Sequence, residues 1–214
     1  MLLVVVGMQS EAALLPKNTH TVVSGANPAR LAALLAEQGP EISAVLSFGI
    51  AGGLDPSLEP GDLVSATRIR ATAGAWPVDM AWAAFLARAT AARLGVLAGS
   101  ATALVDPGAK KSLHAMTGAL TVDMESQLAA AFAARRGIPF AALRAVADTA
   151  AEVLPKAALV GLTPDGRPAV LKVLGALARN PREIGPLRII AARSATALES
   201  LGHAVGLLRG VLRK

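Results

Sequence analysis

Four short segments carry the residues of this chain best suited to chemistry. They read Gly7-Met8-Gln9-Ser10-Glu11, Gly49-Ile50-Ala51-Gly52-Gly53, Asp123-Met124-Glu125-Ser126 and Ala147-Asp148-Thr149. Three contribute a carboxylate (Glu11, Glu125 and Asp148) and the fourth is rich in glycine. In a desolvated cleft a carboxyl group has a raised pKa and donates a proton near neutral pH, a role open to Asp148. Glycines let backbone N–H groups come close to a sugar or an anion. Each feature also has an ordinary use. Asp148 can cap a helix or form a turn, and Glu11 and Glu125 suit the first turn of a helix. The glycine stretch suits a tight strand-to-loop turn and has neither P-loop nor dinucleotide-binding spacing. Met8 and Met124 fill cores as readily as they line a ligand.

Position is what sets these segments apart. Strands are predicted over Leu2–Val6, Thr21–Ser24, Ala44–Phe48, Leu63–Ile69, Val96–Leu104, Ala119–Val122 and Phe140–Val146. Between them lie Ala/Leu-rich helical stretches. Asn27-Pro28 and Asp106-Pro107 read as helix starts and Gly39 as a stop, while Gly95 and Gly137 follow other helices. That rhythm predicts an α/β fold with a mainly parallel central sheet. Ligands of open α/β sheets bind beyond the carboxyl ends of the strands, and all four segments fall there.

Composition narrows the class. With 214 residues, 53% hydrophobic and 17% charged, the chain is neither disordered nor fibrous. The absence of cysteine excludes disulfides, zinc-thiolate sites and cysteine catalysis. His20, His114 and His203 have no mutual spacing for a metal or a relay, and no metal or redox cofactor is expected. Trp76 and Trp82 read as packing residues. Mean hydropathy is +0.51, yet no apolar run reaches the roughly 18 residues of a spanning helix. The opening MLLVVVG reads as a strand and not a signal peptide, so the cytoplasm is the expected location.

Charge is unevenly placed. Residues 1–150 carry eleven basic and eleven acidic residues, so the whole excess of +6 lies in residues 151–214. From Pro181 onward apolar residues recur every three or four positions, with Arg182, Arg188, Arg193, Arg209 and Arg213 mainly elsewhere around the wheel. The segment reads as a basic amphipathic helix, with a break expected near Gly185-Pro186. It can pack on the core, or it can contact a membrane surface or lipid substrate. Nucleic acid is not expected, because no aromatic residues interleave the basic ones. We read residues 1–214 as one domain, with a motif-bearing core over 1–150 and a helical basic extension over 151–214.

Taken in order, Gly7-Met8-x-x-Glu11, Phe48 to Leu54, Val122-Asp123-Met124-Glu125 and Arg144-Ala145-Val146-Ala147-Asp148 resemble the purine nucleoside phosphorylase/nucleosidase superfamily. The likeness is greatest to the methylthioadenosine/adenosylhomocysteine nucleosidase branch. Within the superfamily, the hopanoid-associated phosphorylases, which remove adenine from adenosylhopane, are the most similar group. The resemblance implies that Asp148 protonates purine N7 as general acid and that Glu125 holds the ribose hydroxyls, with Met124 against the sugar. Glu11 resembles the residue that positions or deprotonates an attacking water. Met8 would line the same surface, and Gly49, Ile50, Ala51 and Gly52 resemble the loop over ribose and nucleophile. The family also implies a three-layer α/β fold with a mainly parallel, mixed central sheet, and a homodimer.

Two departures bear on the nucleophile. Ile50 stands where the family commonly has a small hydroxyl residue, and Glu11 stands where bacterial phosphorylases present an arginine to phosphate. No other arginine obviously replaces it, and a phosphate dianion beside a carboxylate without a local cation is electrostatically awkward. Water is favoured over phosphate, with both kept open. The expected reaction is cleavage of a 5′-substituted adenosine, adenosylhopane foremost. The alternatives are a methylthioadenosine/adenosylhomocysteine or futalosine nucleosidase, and a non-catalytic peripheral membrane binding protein.

Overall fold

The computed structural model describes residues 1–155, 158, 163, 166–167 and 169–210. Its strands are β1 (Leu2–Val6), β2 (His20–Val23), β3 (Ala44–Gly53), β4 (Leu63–Ala71), β5 (Gly74–Pro77), β6 (Arg93–Gly99), β7 (Ala119–Asp123) and β8 (Phe140–Asp148). The described helices are α1 (Gln9–Ala12), α2 (Pro28–Ala36), α3 (Met80–Thr90), α4 (Pro107–Thr117), α5 (Ser126–Arg136), α6 (Val170–Arg179) and α7 (Ile184–Leu208).

β2, β1 and β3 lie side by side in parallel. Beyond them the sheet closes on itself: β8 pairs with both β3 and β4, β6 joins β4 to β7, and β7 returns to β3. The β3–β7, β4–β5 and β4–β8 pairs are antiparallel, so the sheet is mixed, as expected. Closure brings the ends of β3, β7 and β8 together. Gly52 of β3 is in register with Val122 of β7 on one side and Asp148 of β8 on the other.

Alternation along β1 shows how the layers form. Leu3 and Val5 enter one core, with Leu31 and Leu35 of α2 and Ala129, Phe132 and Ala133 of α5. Val4 and Val6 point to the other, with Leu86 of α3 and Ala197, Leu201, Ala204, Val205 and Leu208 of α7. A run buried on both faces reads as continuously apolar, which is why Leu2–Val6 shows no polar alternation. Helix starts follow the sequence signals. Asn27 Oδ1 accepts from Arg30 N at 3.0 Å and Asp106 Oδ2 from Ala109 N at 2.9 Å, each ahead of a first-turn proline.

Several local expectations are corrected. β5, an edge hairpin strand containing Trp76, was not foreseen. Gly95 does not follow a helix but lies inside β6, where a Cβ would strike the Leu120 side chain at 2.2 Å. α3 stops at Thr90, with Ala91 in the left-handed conformation. β6 starts at Arg93 and ends at Gly99, leaving Thr102 to Leu104 to turn over the cleft described below. No break occurs at Gly185-Pro186. A 3-10 turn over Pro181–Glu183 leads into α7, and Pro186 sits in its first turn, where a missing N–H costs nothing. The second half of α7 packs on the core, whereas Ile184 and Ile189 in its first half are exposed.

Candidate active site

A single cleft gathers Met8, Glu11, Ile50, Ala51, Gly52, Met124, Glu125 and Asp148 at the joined strand ends, enclosing about 200 Å³. Asp123 and Thr102 also line it, and Ala103, Leu104 and Leu154 contribute apolar surface. Gly49 to Gly53, expected as a loop beyond a strand ending at Phe48, form the second half of β3, and Gly49 does not line the cleft but lies behind it. Its φ is +153°, and a Cβ there would come within 2.5 Å of Glu11 Oε1 and 2.7 Å of Arg144 Nη1. Only glycine lets the strand pass between those two groups.

Glu11 is placed by the turn after β1. Its Oε2 accepts from Gly7 N at 2.7 Å and Met8 N at 2.8 Å, and its Oε1 from Ile50 N at 2.8 Å. Burial nevertheless raises its pKa against the opposing pull of Arg144 and these N–H groups. Glu125 stands at the head of α5, where its Oε1 accepts from Ser24 Oγ at 2.9 Å. Burial pushes its carboxyl up to about 7, with Arg144 opposing and Asp123 and Glu11 adding to the rise. The two glutamates flank one residue: a Cβ on Gly7 would lie 3.1 Å from Glu125 Oε1 and 3.4 Å from Glu11 Oε2.

Asp148 owes its placement to a bulge. Ala51 pairs with Val146 but Gly52 with Asp148, so Ala147 is extra on β8 and the strand end is turned. Burial raises the pKa of Asp148, with Lys110 the chief opposing influence. Lys110, fully buried on α4, donates from Nζ to Asp148 Oδ2, to Thr149 O at 2.7 Å and to Glu152 O at 3.2 Å.

Among the described residues no arginine lines the cleft, but a cation that the sequence reading missed stands behind it. Arg144 of β8 is fully buried behind the cleft floor, its Nε 2.9 Å from Asp123 Oδ2 and its Nη2 3.7 Å from Glu125 Oε2. Nη2 also donates to Ser47 Oγ at 2.6 Å and Ser126 Oγ at 3.2 Å, and Nη1 to Ile50 O at 3.4 Å. Asp123 in turn accepts from Glu125 N and Ser126 N at 2.9 and 2.7 Å, fixing the head of α5. A lone arginine in the otherwise apolar run of β8 was the signal for this cation, since a buried charge needs partners. Lys110 gave no such signal, standing beside Lys111 in an ordinary polar helix turn.

Residues 19–178 match the family described as the phosphorylase superfamily. The chain belongs to that superfamily. Membership makes it an enzyme of the nucleosidase or nucleoside phosphorylase type. The superfamily fold extends through the solved structures it resembles. The Helicobacter pylori 5′-methylthioadenosine/S-adenosyl homocysteine nucleosidase superposes with a TM-score of 0.67 at 15% identity, over 96% of this chain and 97% of that one. The Colwellia psychrerythraea 5′-methylthioadenosine/S-adenosylhomocysteine nucleosidase, in complex with adenine, gives 0.63 at 19% over 83% and 96%. Futalosine hydrolase of Helicobacter pylori gives 0.61 at 16% over 69% and 87%. No curated protein matches the chain.

The basic residues of the C-terminal segment divide. Arg182, Arg188 and Arg209 are exposed, and Arg213 lies outside the described residues. Arg193 is committed elsewhere: it forms an ion pair with Glu152, whose Oε2 accepts from Thr149 N at 2.8 Å beside Asp148. It therefore braces the cleft edge, in place of the expected outward contact. Among the described residues no helix is long and apolar enough to cross a membrane, and none of their acids and histidines form a metal cluster.

Proposed function

We propose that this enzyme hydrolyses the N-glycosidic bond of a 5′-substituted adenosine, with adenosylhopane as the substrate, and releases adenine. One observation carries the reading: of the described residues lining the cleft, four are acidic and none is basic. Such a site favours a sugar that gains positive charge and disfavours a phosphate dianion. Arg144 and Lys110 do not alter this, because neither lines the cleft and each already faces a carboxylate, Asp123 and Asp148 respectively.

Asp148 gives its proton to purine N7 as the glycosidic electron pair moves onto the base, and adenine leaves neutral. The oxocarbenium-like sugar forms over Glu125, which grips the ribose hydroxyls while Met8 and Met124 pack against the ring. Water held by Glu11 adds to the anomeric carbon. Its released proton passes to the carboxylates and on to solvent, and Asp148 is reprotonated. General acid catalysis supplies about 10²–10⁴-fold of the rate.

Two features support a lipid 5′ group. The Leu104 and Leu154 side of the cleft is apolar. On α6 and the start of α7, Leu174, Ile184 and Ile189 are exposed among Arg179, Arg182 and Arg188, a surface suited to anionic lipid. The fold shared with 5′-methylthioadenosine/S-adenosylhomocysteine nucleosidases and futalosine hydrolase favours a second reading, cleavage of such smaller nucleosides. Incubation with adenosylhopane and with methylthioadenosine, with and without phosphate, separates these by free adenine. Release from adenosylhopane that is indifferent to phosphate is expected. Release from neither substrate, or release that requires phosphate, overturns the proposal.

A further inference from the structure

Asp148 is not simply an acid in a cavity; one of its oxygens is already taken. Lys110 is a fully buried lysine, and all three of its N–H bonds have acceptors: Asp148 Oδ2, Thr149 O and Glu152 O. An ammonium group has three donors and no lone pair. A proton on Oδ2 would therefore point at a group that can only donate. The acid proton of Asp148 is confined to Oδ1. The same ammonium ties the Thr149 and Glu152 carbonyls to α4 and so holds the turn after β8 against that helix.

We propose that Lys110 is a positioning residue that selects the proton-bearing oxygen of Asp148 and receives its negative charge once the proton has gone. This rests on the reading of Asp148 as proton donor. When Asp148 gives its Oδ1 proton to the leaving purine, the carboxylate left behind is paired with the Lys110 ammonium, while the positive charge developing on the sugar faces Glu125 and Glu11. Other charged groups also face Asp148. Arg193 approaches from α7 through Glu152, and Glu11, Asp123 and Glu125 stand across the cleft. Lys110 alone among them makes a direct contact with its carboxylate.

The sign of the effect is fixed. A donor acts while protonated, so activity is present below the pKa of Asp148 and falls as pH rises through it. Removing the cation raises that pKa. In Lys110→Met the alkaline limb of kcat/KM moves up by about one to three pH units, the range for an opposite charge at this distance. kcat at the optimum falls by roughly tenfold or more, while KM changes little. A purely structural lysine would lower the amount of folded enzyme and leave the limb in place, and that result overturns the proposal. Should Lys110→Met fail to fold, Lys110→Ala with and without added ethylammonium takes its place: the amine must return the limb toward the wild-type position, and a limb that ignores it also overturns the proposal. Asp148→Asn is assayed in parallel for adenine release. Full release from that variant sinks the reading of Asp148 itself. An inactive Asp148→Asn beside an unshifted lysine variant sinks only the role given to Lys110.

Discussion

Glu11 Oε1 accepts a hydrogen bond from Ile50 N at 2.8 Å, tying the head of α1 to the end of β3 across 39 residues of chain. With Gly7 N and Met8 N on Oε2, three backbone donors converge on one buried carboxylate. Glu11→Gln keeps the shape but offers an NH₂ group to donors on one side. It is expected to cost about 1–3 kcal/mol in urea unfolding and to suppress adenine release. Unchanged stability would mean that these donors are satisfied in another way.

Gly49 and Gly52 are three residues apart and should respond oppositely to an added methyl group. Gly49→Ala places Cβ 2.5 Å from Glu11 Oε1 at a φ of +153°, so strain and collision act together. A loss of more than about 1–3 kcal/mol is expected, the cost of the backbone conformation alone. In Gly52→Ala the nearest atoms are 3.4 Å away, an ordinary contact, and that variant should fold with a near-normal thermal midpoint. Equal melting temperatures for the two would contradict this packing.

Glu125 makes stability depend on pH. Its pKa, raised from 4.5 to about 7, means that the folded protein holds the proton more tightly than the unfolded chain. The stabilisation from this proton is complete below pH 4.5, declines as pH rises and is gone above about 7. Two and a half units correspond to about 3 kcal/mol. Glu125→Gln is neutral throughout and should lack that decline, gaining on the wild type between pH 5 and pH 8 while losing activity. Parallel unfolding curves at the two pH values would refute it.

Removing residues 181–214 is a poor test of lipid contact, because Leu201, Val205 and Leu208 of α7 belong to the core. Ile184→Asp together with Ile189→Asp alters only exposed positions. This pair should weaken binding to anionic phosphatidylserine vesicles with little change in melting temperature. Arg182 and Arg188 each add on the order of 1 kcal/mol at such a surface, so Arg182→Glu with Arg188→Glu should act in the same direction. Full vesicle binding by both double variants would remove this face from consideration.

Much of this was legible because it is local. Leu2–Val6 is a strand buried on both faces, and Asn27-Pro28 and Asp106-Pro107 announce caps whose hydrogen bonds form within three residues. The acids could be placed at strand ends because strand direction decides which loops share an edge. Partners fixed only by long-range pairing were not legible. Lys110 lies 38 residues from Asp148, and Arg144 meets Ser47 across 97. β5 escaped notice because a four-residue edge hairpin with a single large side chain, Trp76, has too little periodicity to stand out.

The extra residue on β8 makes chain length the vulnerable quantity around the acid. Substitution of Ala147 by another small side chain leaves the turned strand end intact. Deletion of Ala147 would restore a regular ladder and remove the turn that aims the carboxyl into the cleft. A lineage carrying this enzyme can therefore exchange one small residue for another at that point, but a single lost codon there would silence it.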